Sequence, residues 1–345
     1  MSKEKTSSKV LVFGYFGKKS QIQEGQSVKT RNVSRLLREM GCLVDEFDTE
    51  SFRYDKLAIF KMILRLSKCE KLCLLPAYNN LKFVFPFLFV LSALFRYDIY
   101  LFTIGGSLHN YLKSLPIHRW MVRRIKRVFN ETHLLGTLLY DMYGFTNIEY
   151  CPNVKFVKYS PLKHHIDGEL HLVFLARIMM EKGIDTIFNY AAWLSKRSRH
   201  NVFIDFYGMV NSKDKRYFDE QIAKYDFVAY MGIAQQTEIP QILEKYDAML
   251  FPTHFQTEGI PGSVIDAYNA GIPVIASDWM YARELIEDGK TGIIIPFEDN
   301  QENFNFTCEE LLHDKEKLDS LKDNAQIKAA EYQAENAKRI LNKYF

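Results

Sequence analysis

Short apolar runs alternate along this chain with stretches whose apolar residues recur every three to four positions, the period of a helix with one buried face. In the first half the runs fall at 10–13, 71–75 and 99–104, and the helical stretches at 29–40, 83–95 and 120–127. Apolar strands interleaved with helices are how a parallel sheet covered on both faces reads, because each strand is buried on both sides. The pattern restarts at 170, with strands at 202–207, near 227 and at 248–251, a helix over 183–196, and a helix–strand unit over 263–276. Two such series predict an α/β protein of two Rossmann-like, doubly wound parallel-sheet domains facing across a cleft.

The first domain is expected over residues 1–160 and the second over 161–325, with a charged helix, 326–345, packing back across both. The polar stretch 155–168, with Pro161 and the pair His164 and His165, is the expected linker. No carboxylate or cysteine at ligand spacing accompanies the two histidines, so they read as exposed loop rather than a metal site. At 345 residues the chain exceeds the size at which one hydrophobic core keeps growing.

Two segments raise the question of a membrane. The most lipid-like, 83–95, has only 13 residues, contains Pro86, and falls short of the roughly 20 needed to span a bilayer. It is expected to be a buried crossover helix. The stretch 118–127, HRWMVRRIKR, interleaves basic residues with Trp120, Met121, Val122 and Ile125, as an interfacial helix would, or as an ordinary amphipathic surface helix would.

Charge sharpens the contrast between the halves. Residues 1–160 carry 25 Lys and Arg against 13 Asp and Glu, and the remainder 20 against 29. A basic half implies an anionic partner, phosphate groups or a membrane surface, with a merely solvated surface as the alternative. Five scattered cysteines without paired spacing fit a reducing cytoplasm, and the run 10–13 is too short for an export signal.

In open α/β sheets ligands bind beyond the carboxyl ends of the strands, so the loops there carry the chemistry. After 248–251 comes PTHFQTEGIPGSVIDAYNAG, where Gly259 and Gly262 permit close approach of a ligand to the backbone and a helix opens near Ser263. Free amides at that helix start form an anion site. Glu258 and Asp266 are acceptors suited to sugar and ribose hydroxyls, although Ser263 and Asp266 also have the spacing of a capping box. After the run ending at 176 come Arg177 and Lys182, the latter at a helix start, where a cation opposes the helix dipole unless an anion offsets it. Together they read as a diphosphate clamp. The other reading pairs Lys182 with Glu181 or Asp185.

The first strand leads into Gly14 and Gly17, which fail the spacing of a phosphate-binding P-loop and serve either ligand passage or a plain turn. Gly105 and Gly106 precede His109, an imidazole at the carboxyl edge of the first sheet or a structural histidine.

These motifs resemble glycosyltransferase family 4, two Rossmann-like domains in the GT-B arrangement, of the bacterial surface-polysaccharide type. The resemblance rests most on FLARIMMEKGID, on the segment from YMGIAQQ through EGIPGSVIDAYNAGIPVIASD, and on RELIEDGKTGIIIPFED. It implies Arg177 and Lys182 on the donor diphosphate, Glu258 on the transferred sugar and Asp266 on the ribose. His109 would touch the donor sugar from the first domain. Amides from Gly259 and Ile260 to Gly262, Ser263 and Val264 would meet sugar and phosphate, Gly232 and Ile233 the base, and Gly17 and Gly208 would also line the donor. Two departures stand out: Asp266 replaces the second glutamate of the family's E-x7-E pattern, and Pro261 stands where many relatives offer an amide.

The implied reaction is a retaining transfer of a hexose-type sugar from a UDP- or GDP-sugar to a lipid-linked or oligosaccharide acceptor in capsule, exopolysaccharide or other surface-glycan synthesis. It uses no cofactor or metal and involves no nucleic acid. The protein is expected in the cytoplasm, with peripheral contact through 118–127 on the inner membrane face. The alternatives are a sugar-nucleotide isomerase or epimerase of the same fold, and a non-catalytic sugar-nucleotide-binding protein.

Overall fold

The computed structural model describes residues 8–20, 25–156, 168–197, 201–298 and 300–345. The expected linker, with Pro161, His164 and His165, lies almost wholly outside the described residues. The chain divides into two compact units, Met1–Phe156 with Gln333–Phe345, and Val157–Tyr332.

The first unit runs β1 (Lys9–Gly14), α1 (Gly25–Glu39), β2 (Leu43–Asp48), α2 (Ala58–Leu66), β3 (Lys71–Leu75) and α3 (Tyr78–Phe95). It continues with β4 (Asp98–Phe102), α4 (Leu108–Leu112), α5 (Pro116–Val122), β5 (Arg127–Asn130), α6 (His133–Tyr143) and β6 (Ile148–Tyr150). Its six strands are parallel, in the order β2-β1-β3-β4-β5-β6.

The second unit runs β7 (Leu170–Leu175), α7 (Ile184–Ser195), β8 (Val202–Tyr207), α8 (Lys215–Ile222), β9 (Val228–Gly232) and α9 (Ile239–Leu243). Then come β10 (Ala248–Phe251), α10 (Gly262–Asn269), β11 (Val274–Ser277), α11 (Ala282–Leu285), β12 (Gly292–Ile295), α12 (Gln301–His313) and α13 (Lys315–Lys328). Its parallel sheet has the order β12-β11-β10-β7-β8-β9, the doubly wound arrangement whose direction reverses between β7 and β10.

The charged tail is two helices, not one. After a 3₁₀ turn at Ala329–Tyr332, α14 (Ala334–Leu341) belongs to the first unit, where Ala334, Ala337 and Leu341 join Val33, Leu36 and Leu37 of α1 in one buried cluster. Lys155, assigned from sequence to the linker, is buried and bridges Gln333. Beyond α14, Tyr344 donates its hydroxyl to Glu149 at 2.9 Å and its carbonyl accepts from Lys71 Nζ at 2.7 Å. Tyr344→Phe should therefore cost about 1 kcal/mol, the worth of one hydrogen bond, in urea unfolding.

Two helices differ from expectation. The stretch 83–95 is not a buried crossover helix: α3 has 18 residues, buries Leu81, Phe85 and Leu88, and turns a second apolar stripe to solvent. Its residues are apolar nearly all round, so hydrophobicity alone could not tell its two faces apart. The helix expected over 120–127 stops at Val122, because Arg127 already begins β5, and Met121, Val122 and Ile125 point into the core.

Candidate functional site

In the second unit, β7 and β10 are neighbours at the reversal of strand order, so the loops after them meet. After β7 the chain makes a 3₁₀ turn, Met180–Lys182, and enters α7 through Gly183 at φ 77°. A Cβ on Gly183 would fall 1.8 Å from the carbonyl oxygen of Pro252, so only glycine lets the two loops touch there. Across this contact Glu181 O accepts from His254 N at 3.0 Å and from Thr253 Oγ1 at 3.3 Å.

The contact brings together two residues 76 apart in sequence: Lys182 Nζ donates to Glu258 Oε2 in an ion pair whose side chains are 12% and 20% exposed. This replaces the pairings with Glu181 or Asp185 weighed from sequence. Asp185 instead bonds His254 Nε2 at 2.9 Å. The Lys182 ammonium also lies 5.5 Å and 5.9 Å from the ring centroids of Phe251 and Phe255, which further fix its position. Arg177 is exposed at the same carboxyl edge, where Ile178 pairs with Val210.

The loop holding Glu258 opens α10. Its N-cap is Pro261, whose side chain makes no capping bond. Ser263 lies inside the helix, so the Ser263–Asp266 capping box does not form, because proline rather than serine holds the capping position. Asp266 is buried and Ser263 half-buried, while Ile260 and Val264 are core residues. Gly259 and Gly262 are outside the left-handed region. An uncapped helix start beside a lysine is suited to an anion.

Gly208, at φ 145° after β8, has a packing reason of its own: a Cβ there would sit 1.8 Å from Ala176 O. Gly232 ends β9 at φ 84° with open space around it, next to the exposed Tyr230, Met231 and Ile233.

In the first unit, His109 lies on α4 beyond β4 and is buried. Its Nδ1 is 3.1 Å from Gly106 O. Burial holds its pKa below the ordinary value, and a carbonyl can only accept, so Nδ1 carries the proton and Nε2 keeps its lone pair. Gly17 turns the chain after β1 at φ 64°, with the Phe16 and Lys18 amides on the Asp48 carboxylate at 3.1 Å each.

Sequence reasoning missed two pairs. One is His254–Asp185. The Asp185 bond raises the His254 pKa against a smaller opposing effect of burial. For Asp185 burial is the largest single effect and raises the pKa, but the bond and charge of His254 with the backbone amides of Thr186 and Asp185 together outweigh it and lower the pKa. The second is Lys29–Glu131, buried at 2.5 Å, with Lys29 also donating to Thr103 O, so that α1 holds the loops after β4 and β5. Neither spacing is local, and no motif signals them.

The His254–Asp185 pair carries a pH prediction. A raised histidine pKa gives stability that is complete below the unfolded value near 6.5 and lost as pH rises through the folded value. A lowered aspartate pKa gives stability present above 3.8 and lost as pH falls through the folded value. The difference in unfolding free energy between the natural protein and His254→Gln should therefore peak between these values. At about 0.5 kcal/mol for a pair this exposed, it should fade as pH rises through the raised folded value of His254, as chemical unfolding at stepped pH would show.

Residues 160–328 match the glycosyl transferases group 1 family, nearly the whole of the second unit. This unit is a group 1 glycosyl transferase domain. The chain is similar to the alpha-D-kanosaminyltransferase of Streptomyces kanamyceticus, 25% identical over 180 residues, 49% of this chain and 44% of that protein. It is also similar to the protein assigned as the colanic acid biosynthesis glycosyltransferase WcaL of Salmonella typhimurium, 30% identical over 116 residues, 32% of this chain and 29% of that one. The matched segments thus span less than half the length of these two relatives. Among solved structures, Anabaena HepE in complex with UDP and glucose is 14% identical, with a TM-score of 0.73 over 97% of this chain and 98% of that chain. The likeness shows that the group 1 domain here sits within a two-unit GT-B fold.

Proposed function

We propose that this chain is a retaining glycosyltransferase that moves a hexose-type sugar from a UDP- or GDP-sugar to a lipid-linked or oligosaccharide acceptor in surface-glycan assembly. The observation that carries this reading is the Lys182–Glu258 pair beside the uncapped start of α10. A sugar diphosphate offers an anion and neighbouring hydroxyls in one ligand, and so satisfies a cation, a carboxylate and free amides held together. Lys182 and Arg177 stabilise the charge that develops on the leaving diphosphate, with no metal in that role. Glu258 accepts from sugar hydroxyls and Asp266 from the ribose. His109 Nε2 is the acceptor the first unit offers. Similarity to a colanic acid enzyme supports a polysaccharide acceptor.

The test is incubation of purified protein with radiolabelled UDP- and GDP-sugars and a membrane lipid extract. Label entering the lipid or glycan fraction supports transfer. Acceptor-free conversion to a new sugar nucleotide, followed by NMR, would identify an isomerase or epimerase instead. Tight donor binding without turnover would identify a non-catalytic binding protein.

A further inference from the structure

The exposed apolar surface of the first unit gathers on one face. The connections β2 to β3, β3 to β4 and β4 to β5 step in one direction across the sheet, and β1 to β2 steps the other way. Right-handed crossovers therefore put α2, α3 and α5 on one face and α1 on the other. The α1 face is covered by α14, whose apolar residues it buries.

On the opposite face, α3 presents Phe83, Phe87, Val90 and Leu94 to solvent, 76%, 43%, 67% and 68% exposed. Their spacing of four, three and four residues makes a single stripe down the helix. On the neighbouring α5 the exposed Trp120 packs edge-on against Phe89, off the stripe on the flank of α3, with centroids 5.6 Å apart. Ile59 and Phe60 of α2 and Ile117 of α5 are exposed as well. Four exposed apolar side chains in one row on a helix are more than the singly scattered exposure that needs no partner.

The three helices of this layer are basic: α2, α3 and α5 carry Lys61, Arg65, Lys82 and Arg119 and no Asp or Glu, although Lys61 and Arg65 are paired with Asp55 and Asp45. Lys82 lies over the Phe83 ring at 5.8 Å, and the Arg124 guanidinium over Trp120 at 4.1 Å, so the cations border the apolar stripe. No helix among the described residues is long and apolar enough to cross a membrane. An apolar stripe edged by cations and by a tryptophan is the composition of a helix lying in the plane of a bilayer surface.

We infer that α3, flanked by α2 and α5, docks the first unit onto an anionic lipid surface. The stripe enters the headgroup boundary while Lys82, Arg119 and Arg124 meet lipid phosphates. This centres the membrane contact on α3 and leaves to 118–127 only Trp120 and its cations, since Met121, Val122 and Ile125 are buried. A second copy of the chain is disfavoured as the occupant. A two-fold dimer would press this face against itself and bring its cations together.

The test is flotation of the full chain with vesicles of phosphatidylglycerol and phosphatidylcholine, against phosphatidylcholine alone, without donor or acceptor. Flotation with the anionic vesicles should be at least about tenfold stronger, and should be lost at about 1 M salt. Phe87→Glu with Val90→Glu should reduce it about tenfold or more while the circular dichroism and melting temperature stay unchanged, since both side chains face solvent. Arg119→Gln with Arg124→Gln should weaken it about fivefold per charge. The proposal is overturned if neither vesicle binds, or if the Phe87 and Val90 changes leave binding intact. It is equally overturned if light scattering shows a dimer that those changes dissolve. Failure here would leave the transferase reading untouched, because no sugar transfer is measured.

Discussion

Lys182→Ala should lower kcat by roughly two to three orders of magnitude, about 3–4 kcal/mol of barrier, while the protein stays folded. The lysine is held by Glu258 and between the rings of Phe251 and Phe255, so its position is set before any ligand arrives. A preorganised cation acts most strongly where charge is still developing, on the diphosphate as it leaves, so the loss belongs mainly to kcat rather than to KM. Steady-state kinetics on the donor and acceptor found by the incubation test, alongside donor titration calorimetry, separate the two. A fall in KM affinity alone would make Lys182 a binding residue for the ground state. Unchanged kinetics would remove it from the site.

Gly183→Ala should be strongly destabilising for the second unit. Its φ of 77° disfavours any side chain, and the added Cβ would lie 1.8 Å from Pro252 O and 2.6 Å from its carbonyl carbon, both backbone atoms. Relief requires the loops after β7 and β10 to separate, which costs about 3 kcal/mol or more and drops the melting temperature by roughly 10 °C. Gly289→Ala is the matched control: its φ is 73°, yet nothing lies within 4 Å of the added atom. It should cost only about 1 kcal/mol, so the difference measures the clash alone. Because Gly183 adjoins Lys182, the variant should also lose activity out of proportion to its stability, assayed well below its melting temperature.

The two parallel sheets were legible wherever strands are apolar on both faces, as in β1, β3, β7, β8 and β10. The strand β2, LVDEFD, was not, because it lies at the sheet edge and carries carboxylates, which is how exposed edges are kept from pairing with other chains. The residues of the candidate site were named from their loops. The ion pair between Lys182 and Glu258 was not visible, since it depends on how closely the loops after β7 and β10 meet, and β10 lies against β7 on one side and against β11, its neighbour in sequence, on the other. Gly183 and Gly208 are the clearest case: one glycine looks like any other until the backbone it touches is known. The face of α3 was hidden for the opposite reason, since a helix apolar all round gives no sign of which side meets solvent.

The return of α14 to the first unit has a consequence for biosynthesis. The second unit is continuous in sequence, whereas the first, though begun earlier, lacks Gln333–Phe345 until the whole of the second has been synthesised. At roughly 5–20 residues per second, the 176 residues between occupy about ten to thirty seconds. Throughout that interval Val33, Leu36 and Leu37 stand without the helix that covers them. The unit that is begun first is therefore completed only after the unit that follows it in sequence has been made.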